Sequence, residues 1–281
     1  MPQAISIHLG LNAVDARVYK GWSGPLRGCE NDARAMQGIA DAQGFTSRLL
    51  LGADATYPNL VAALDRAVAE LVTGDLLVLT YSGHGAPLPD RSGDEPDEYD
   101  EVWCLHDGLL LDDEIHHRLC AFAAGVRVLV VSDSCFSGSV IRDDQTKPAG
   151  ARVRRPAVLR DGSAATVDRR APDTRVRAVW RANADAYVAR KAAVAATHAV
   201  APAASVILLA ACEDRQTAQD GDVHGRFTEA LLAIWDGGGF TGGHEAFLAA
   251  IRTRVGPVQT PTLFRVGADD PAFLAARPFT R

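Results

Sequence analysis

Two side chains in this sequence have the right chemistry for acyl transfer: the imidazole of His84 and the thiol of Cys135. Each closes an apolar run: Leu76-Leu77-Val78-Leu79-Thr80-Tyr81-Ser82-Gly83-His84-Gly85 in the first case, Val128-Leu129-Val130-Val131-Ser132-Asp133-Ser134-Cys135-Phe136-Ser137-Gly138 in the second. A thiol with its free pKa of ~8.5 is a weak nucleophile until a neighbouring base takes its proton, and the same base can then protonate a leaving amine. Taken singly, the plainer readings are a buried core thiol and a structural, hydrogen-bonding histidine. Taken together, the shared strand-then-glycine setting favours a dyad. Backbone amides near Gly85 and Cys135 are the candidate donors to a developing oxyanion.

Such a dyad needs two strands that end on one edge, and the surrounding pattern supplies them. Ile5 to Leu9 reads as a strand and Thr46 to Leu51 as another, with the two apolar runs above as buried strands between helices. Helices are expected from Asn31 or Asp32 through Gln43, from Asn59 to Val72 and from Asp112 to Ala124. In the first, Ala33, Met36, Ile39 and Ala40 share a face, and Gly44 stops it. Later, Ser205 to Ala211 and Thr262 to Val266 read as strands, and Phe227 to Trp235 and His244 to Val255 as helices. Alternation of this kind predicts a mainly parallel sheet with helices on both faces, and ligands of open α/β sheets bind at the carboxyl ends of the strands.

Tyr81-Ser82-Gly83-His84-Gly85 and Asp133-Ser134-Cys135-Phe136-Ser137-Gly138 resemble the hallmark stretches of the caspase-like cysteine peptidases, and within them the metacaspase branch. The resemblance extends to Leu26-Arg27-Gly28-Cys29-Glu30-Asn31-Asp32-Ala33, to the stretch from Ala210 to Ala218, and to Gly225-Arg226-Phe227-Thr228-Glu229-Ala230-Leu231. It implies an α/β, caspase-like (caspase/hemoglobinase) fold and a cysteine endopeptidase cutting after Arg or Lys, with His84 and Cys135 as its dyad. It also implies a pocket for that basic residue from Asp32 and Asp133, flanked by Cys29 and Ser82. A guanidinium matches paired carboxylates bidentately, which makes the assignment chemically apt. The plainer reading has Asp32 capping its helix and Asp133 tying the loop beneath Cys135.

Charge is segregated along the chain. Asp90, Asp94, Glu95, Asp97, Glu98, Asp100, Glu101, Asp107, Asp112, Asp113 and Glu114 crowd one stretch with Arg91 as its single base. Such a run is either a solvated loop or a set of oxygen ligands for a hard cation. The resemblance implies calcium at Asp100, Asp112 and Asp113, but the fourth expected carboxylate is replaced by Arg142, so the set would need Asp143.

From Arg142 to about Val200 the balance turns basic, broken by Pro148, Gly150, Pro156, Gly162 and Pro172. The expected organisation is one peptidase domain over 1–281. Its large-subunit-like part, 1–141, carries the dyad; a basic mobile insertion or activation segment spans 142–200; a small-subunit-like part spans 201–281. Arg152, Arg154, Arg155, Arg169 and Arg170 are candidate processing sites within the insertion, with Arg152, Arg155 and Arg170 foremost, cut by the chain itself or by an activating protease. The alanine-rich run from Ala182 to Ala199 reads as a helix covering the active-site edge.

With 281 residues, 47% of them apolar, the chain can bury a sizeable core, and an odd count of five cysteines without a Cys-x-x-Cys argues against a disulfide framework and a structural zinc site. The start Met1-Pro2-Gln3-Ala4 has no basic and apolar leader pattern, and no apolar run approaches membrane-spanning length, so the expectation is a cytoplasmic protein with no membrane partner. The insertion offers few aromatics, Trp180 and Tyr187, to stack on bases, so no nucleic-acid partner is expected. Protein substrates and a monomeric state follow from the resemblance, as does a role in bacterial stress, cell death or defence. The competing function is a locked, protease-shaped binding or signalling module acting through protein partners.

Overall fold

The structure, a computed structural model, describes residues 2–89, 99–135, 167–213 and 216–281. The first part runs β1 (Ala4–Gly10), α1 (Cys29–Ala42), β2 (Thr46–Leu51), α2 (Tyr57–Glu70) and β3 (Leu76–Ser82). Next come β4 (Gly85–Pro89), β5 (Tyr99–Leu105), β6 (Gly108–Leu111), α3 (Asp112–Cys120) and β7 (Arg127–Asp133). The remainder is β8 (Val167–Asp168), α4 (Asp173–Ala182), α5 (Ala184–Val194), β9 (Ser205–Ala210), β10 (Gln219–Asp220), α6 (Arg226–Trp235), α7 (His244–Val255), β11 (Thr262–Gly267) and α8 (Pro271–Ala275).

Six strands form the central sheet in the order β11-β9-β7-β3-β1-β2, parallel throughout except for β11, which lies antiparallel on β9. Strands β3 and β7 are apolar along most of their length because both their faces are covered. On one face Leu77, Leu79, Val128 and Val130 pack with Leu60 and Leu64 of α2 and Ile115 and Leu119 of α3. On the other, Leu76, Val78, Leu129 and Val131 pack with Met36 and Ile39 of α1, Phe227 and Leu231 of α6, and Phe247 and Ile251 of α7. Each fully buried aliphatic or aromatic side chain contributes roughly 1.5–3 kcal/mol by leaving water, so the two layers hold the sheet as a rigid platform.

Register is what matters for function. Gly10 lies opposite Ser82, and Ser82 opposite Asp133, so β1, β3 and β7 end level with one another. The loops leaving β3 and β7 carry His84 and Cys135 out over this common edge.

The elements expected from periodicity are present with ends shifted by a few residues, as frayed termini are. Two parts differ. The described part of the acidic stretch includes β5 and β6, which form an antiparallel sheet with β4 in which Val102, Trp103, Cys104 and Leu105 are buried; residues 90–98 lie outside the described residues. The expectation of a mobile insertion over 142–200 also fails for its second half: residues 167–200 build β8, α4 and α5. Val176, Val179, Trp180 and Tyr187 from these helices join the core, with Trp180 stacked on Tyr187 at 5.0 Å. Pro172, read as a breaker, precedes the first residue of α4, where the helix needs no amide donor. Residues 136–166 lie outside the described residues.

Candidate active site

His84 is held from three sides. Its Nε2 faces the Gly24 carbonyl at 2.9 Å and its ring lies against Trp22, 4.8 Å between centroids. Its own carbonyl accepts from the Tyr81 hydroxyl at 2.7 Å and the Cys104 amide at 2.9 Å. Tyr81 is in turn stacked flat on Trp103 at 4.4 Å, so the small antiparallel sheet serves as the wall that fixes this loop. The other ring nitrogen, Nδ1, is buried with no hydrogen-bond partner among the described residues. Burial pushes the imidazole pKa down to about 4, against the pull of the Gly24 and Arg169 carbonyls.

Cys135 is fully buried on the neighbouring loop. Its Sγ accepts from the Ala218 amide at 3.2 Å. Burial raises the thiol pKa well above its usual value, as does neighbouring Cys212, while the Ala218 amide opposes them. The two loops abut: a Cβ on residue 85 would sit 2.0 Å from the Cys135 carbonyl oxygen, so only glycine allows this approach.

Directly beneath lies the acid pocket. Asp32, on the first turn of α1, does not cap its helix. It accepts from the Ser82 hydroxyl at 2.7 Å, from the Gly225 amide at 3.1 Å, and meets His224 Nδ1 at 2.9 Å. Asp133 Oδ2 accepts from the amide and hydroxyl of Thr228 at 3.1 and 2.7 Å. Cys29 lies fully buried at the start of α1 beside these groups, and burial pushes its thiol up to about 12.

The pocket is filled by the chain's own Arg169, which is 0% exposed. Its guanidinium reaches Asp32 at 2.7 Å, Asp133 at 3.0 Å and Asp220 of β10 at 2.9 Å. Gly225 forms the floor, where a Cβ would meet the guanidinium at 2.4 Å. Burial raises the carboxyl pKa of both aspartates. For Asp32 the Arg169 charge and the hydrogen bonds from His224, Arg169 and Ser82 outweigh it and leave the value low, whereas Asp133 stays raised.

The backbone around Arg169 lies across the sheet edge as a short strand. β8 pairs antiparallel with β10, the Arg169 amide donates to the Ala218 carbonyl at 2.9 Å, and the Ala171 amide donates to the Gly85 carbonyl at 3.0 Å. The Arg169 carbonyl accepts from the Gly85 amide at 3.0 Å, within the 2.7–3.1 Å range typical of oxyanion donors. The Arg169–Arg170 peptide thus sits beside both the thiol loop and the imidazole loop.

The known proteins that match agree with this architecture. A family model described as the caspase domain matches residues 13–273. The chain belongs to the caspase-domain family. A crystal structure of a protein from Geobacter sulfurreducens superposes on this caspase domain with a TM-score of 0.84, at 41% identity and covering 99% of both chains. Metacaspase-1A of Neurospora crassa is 36% identical over 138 residues, 44% of this chain and 30% of that protein. Metacaspase-4 of Arabidopsis thaliana is 34% identical over 156 residues, 52% of this chain and 37% of that protein. The matched regions therefore span about a third of these curated relatives.

Of the acidic residues read as calcium ligands, Asp112 and Asp113 have described side chains. Asp112 accepts from the amides of Asp113 at 3.0 Å and Glu101 at 3.4 Å. Asp113 faces His198 at 3.0 Å and Lys191 at 3.5 Å. Glu114 takes Arg190, whose guanidinium also lies 3.8 Å over the Tyr57 ring. Among the described residues no group of three or more His, Cys, Asp or Glu side chains is gathered for a metal. Asp113 thus meets Lys191 and His198 from the insertion, while Asp112 meets backbone amides. Asp100 contributes backbone to β5 opposite Leu88, and Asp143 lies outside the described residues.

Of the processing candidates, Arg152, Arg154 and Arg155 also lie outside the described residues. Arg170 pairs with Asp173 at 2.9 Å, and of the candidates it is Arg169 that occupies the acid pocket. The alanine-rich helix α5 packs on α3 rather than over the dyad; the segment over the dyad is 167–171. The sequence reading missed Gly24 as the histidine's anchor, Asp220 as a pocket carboxylate, His224 and Thr228. Asp220 had a weak signal, lying between two matched stretches. Gly24 had none, because its part is played by a carbonyl.

With both dyad members neutral and buried, the intact chain should resist thiol reagents. In a partially cut sample at pH 7.5, we expect iodoacetamide to label Cys135 about 100-fold more slowly in molecules with the Arg169–Arg170 bond intact than in cut ones. Intact-mass and peptide mass spectrometry read both populations together; equal rates would mean that burial does not suppress the thiolate.

Proposed function

We propose that this caspase domain is a cysteine endopeptidase that cuts after arginine, and that its first substrate is its own Arg169–Arg170 bond. The observation that carries this reading is Arg169 itself, fully buried among three carboxylates with its carbonyl on the Gly85 amide. His84 Nδ1 takes the Cys135 proton while Sγ attacks the Arg169 carbonyl carbon, and the oxygen gains charge against the Gly85 amide. The C–N bond then breaks, His84 gives its proton to the Arg170 nitrogen, and water hydrolyses the thioester. Gly24 keeps the imidazole turned and in one tautomer, a carbonyl in the orienting role a carboxylate plays in triads.

Until the cut is made, the segment fills the pocket that other substrates need, so the intact chain is a zymogen. No helix among the described residues is long and apolar enough to cross a membrane.

The test is incubation of purified wild-type chain and Cys135→Ala chain with intact-mass analysis. Fragments 1–169 and 170–281, formed by the wild type alone, are the expected result. Cutting confined to other bonds, or the same fragments from Cys135→Ala, would overturn the assignment.

A further inference from the structure

Asp220 is a pocket carboxylate that the paired-aspartate reading does not include, and its position relative to the guanidinium is specific. Asp220 Oδ1 accepts from Arg169 Nε at 3.3 Å and from Nη2 at 2.9 Å. The remaining donors are also taken: Nη2 donates to Asp32 at 2.7 Å, and Nη1 to the Ser82 hydroxyl at 2.8 Å and the Asp133 carbonyl at 2.9 Å. Every N–H of the guanidinium therefore has an acceptor in a site closed to water. Asp220 is itself held in place, because its carboxylate accepts from the amides of Arg27 at 2.6 Å and Gly28 at 3.2 Å. These bonds tie β10 to the loop that leads into α1.

A lysine in this pocket would bring a compact ammonium with three donors and nothing at the Nε position. Asp220 would keep the Arg27 and Gly28 amides but lose both guanidinium donors and the charge that compensates it in a buried site, and lost polar pairing of this kind is what makes hydrogen-bonding sites reject close analogues. Asp32 and Asp133 attract either cation by charge. We propose that Asp220 is the residue that makes the pocket select arginine over lysine, in the chain's own segment and in any protein cut in trans.

This inference rests on the endopeptidase reading for substrates in trans, but not for Arg169. In the first arm, full-length self-cut enzyme is given fluorogenic Val-Asp-Arg and Val-Asp-Lys amides, matching residues 167–169. Wild type should favour arginine by about 100-fold in kcat/KM. Asp220→Asn should lower turnover after arginine at least tenfold more than turnover after lysine, with the lysine rate reporting that the site still folds. Equal losses on both peptides would overturn the inference, reducing Asp220 to a tie between β10 and α1.

The second arm needs no turnover and uses full-length Cys135→Ala protein. Hydrogen exchange at the residue 169 amide, bonded to Ala218, should speed up at least tenfold on Arg169→Lys when Asp220 is present, and far less when Asp220→Asn is already in place. The same acceleration in both backgrounds would overturn the inference. If neither peptide is cut while the exchange arm shows coupling, the pocket selects arginine and it is the peptidase reading that fails.

Discussion

Replacing Arg169 by methionine should make the uncut chain active. In wild type the segment 167–171 stays docked because its guanidinium compensates the buried Asp32, Asp133 and Asp220. Removing one partner from a buried ionic cluster costs about 3–5 kcal/mol, since the charges left behind lie dry and unpaired. Methionine fills similar length with no charge, so the carboxylates draw water in and the segment is released. If docking leaves about one molecule in 10² to 10³ open, freeing it raises the apparent rate on an arginine peptide by about 100-fold or more. The variant also lacks the residue to be cut after, so activity should appear with the chain whole at residue 169 and without a lag, whereas wild type should show a lag that tracks fragment formation. An Arg169→Met chain as silent as uncut wild type would sink the pseudo-substrate account. A lower unfolding midpoint should accompany activation, because the same contacts tie 167–200 to the rest of the fold.

Loss of the sulfur should have the larger effect. Cys135→Ala is expected to reduce turnover after arginine by about 10⁴-fold or more, to whatever the Gly85 amide and the pocket supply by positioning alone. His84→Ala should lose about 10²- to 10⁴-fold, because the thiol keeps its proton and the leaving nitrogen gains none. The two losses should not add in the double variant, since each removes the same step. Cys135→Ala should still hold Arg169 in its pocket and remain a single chain, which separates loss of chemistry from loss of structure. Turnover above about 1% of wild type in Cys135→Ala would point to another nucleophile, and Cys212, buried at the end of β9, would be examined next.

Local pattern was enough to read the scaffold. The runs before His84 and Cys135 are apolar because β3 and β7 are covered on both faces, and that burial is a property of composition that survives in a single sequence. The dyad followed from the same runs, since residues just past the ends of neighbouring parallel strands share an edge. Ser82 and Asp133 were read as pocket residues from the family resemblance alone, and the structure makes them register partners at the last rung of β3 and β7.

What stayed hidden depends on contacts between distant segments. The sheet β4-β5-β6 was masked by the carboxylates around it, whose charge dominates the local composition although its inward side chains are buried. Helix α4 went unread, and α5, read as a helix from its alanines, was given the wrong packing, because Arg190 brings it to Glu114 and the Tyr57 ring.

By itself, then, the sequence determined the parallel sheet, the level strand ends and the two side chains they present, because periodicity and burial are written locally. Only the tertiary structure decided which of the insertion's many arginines enters the pocket, that Asp220 joins Asp32 and Asp133 around it, and that a backbone carbonyl anchors His84. Those choices depend on where a segment more than thirty residues beyond Cys135 returns to the sheet edge, and no local pattern encodes the geometry of that return.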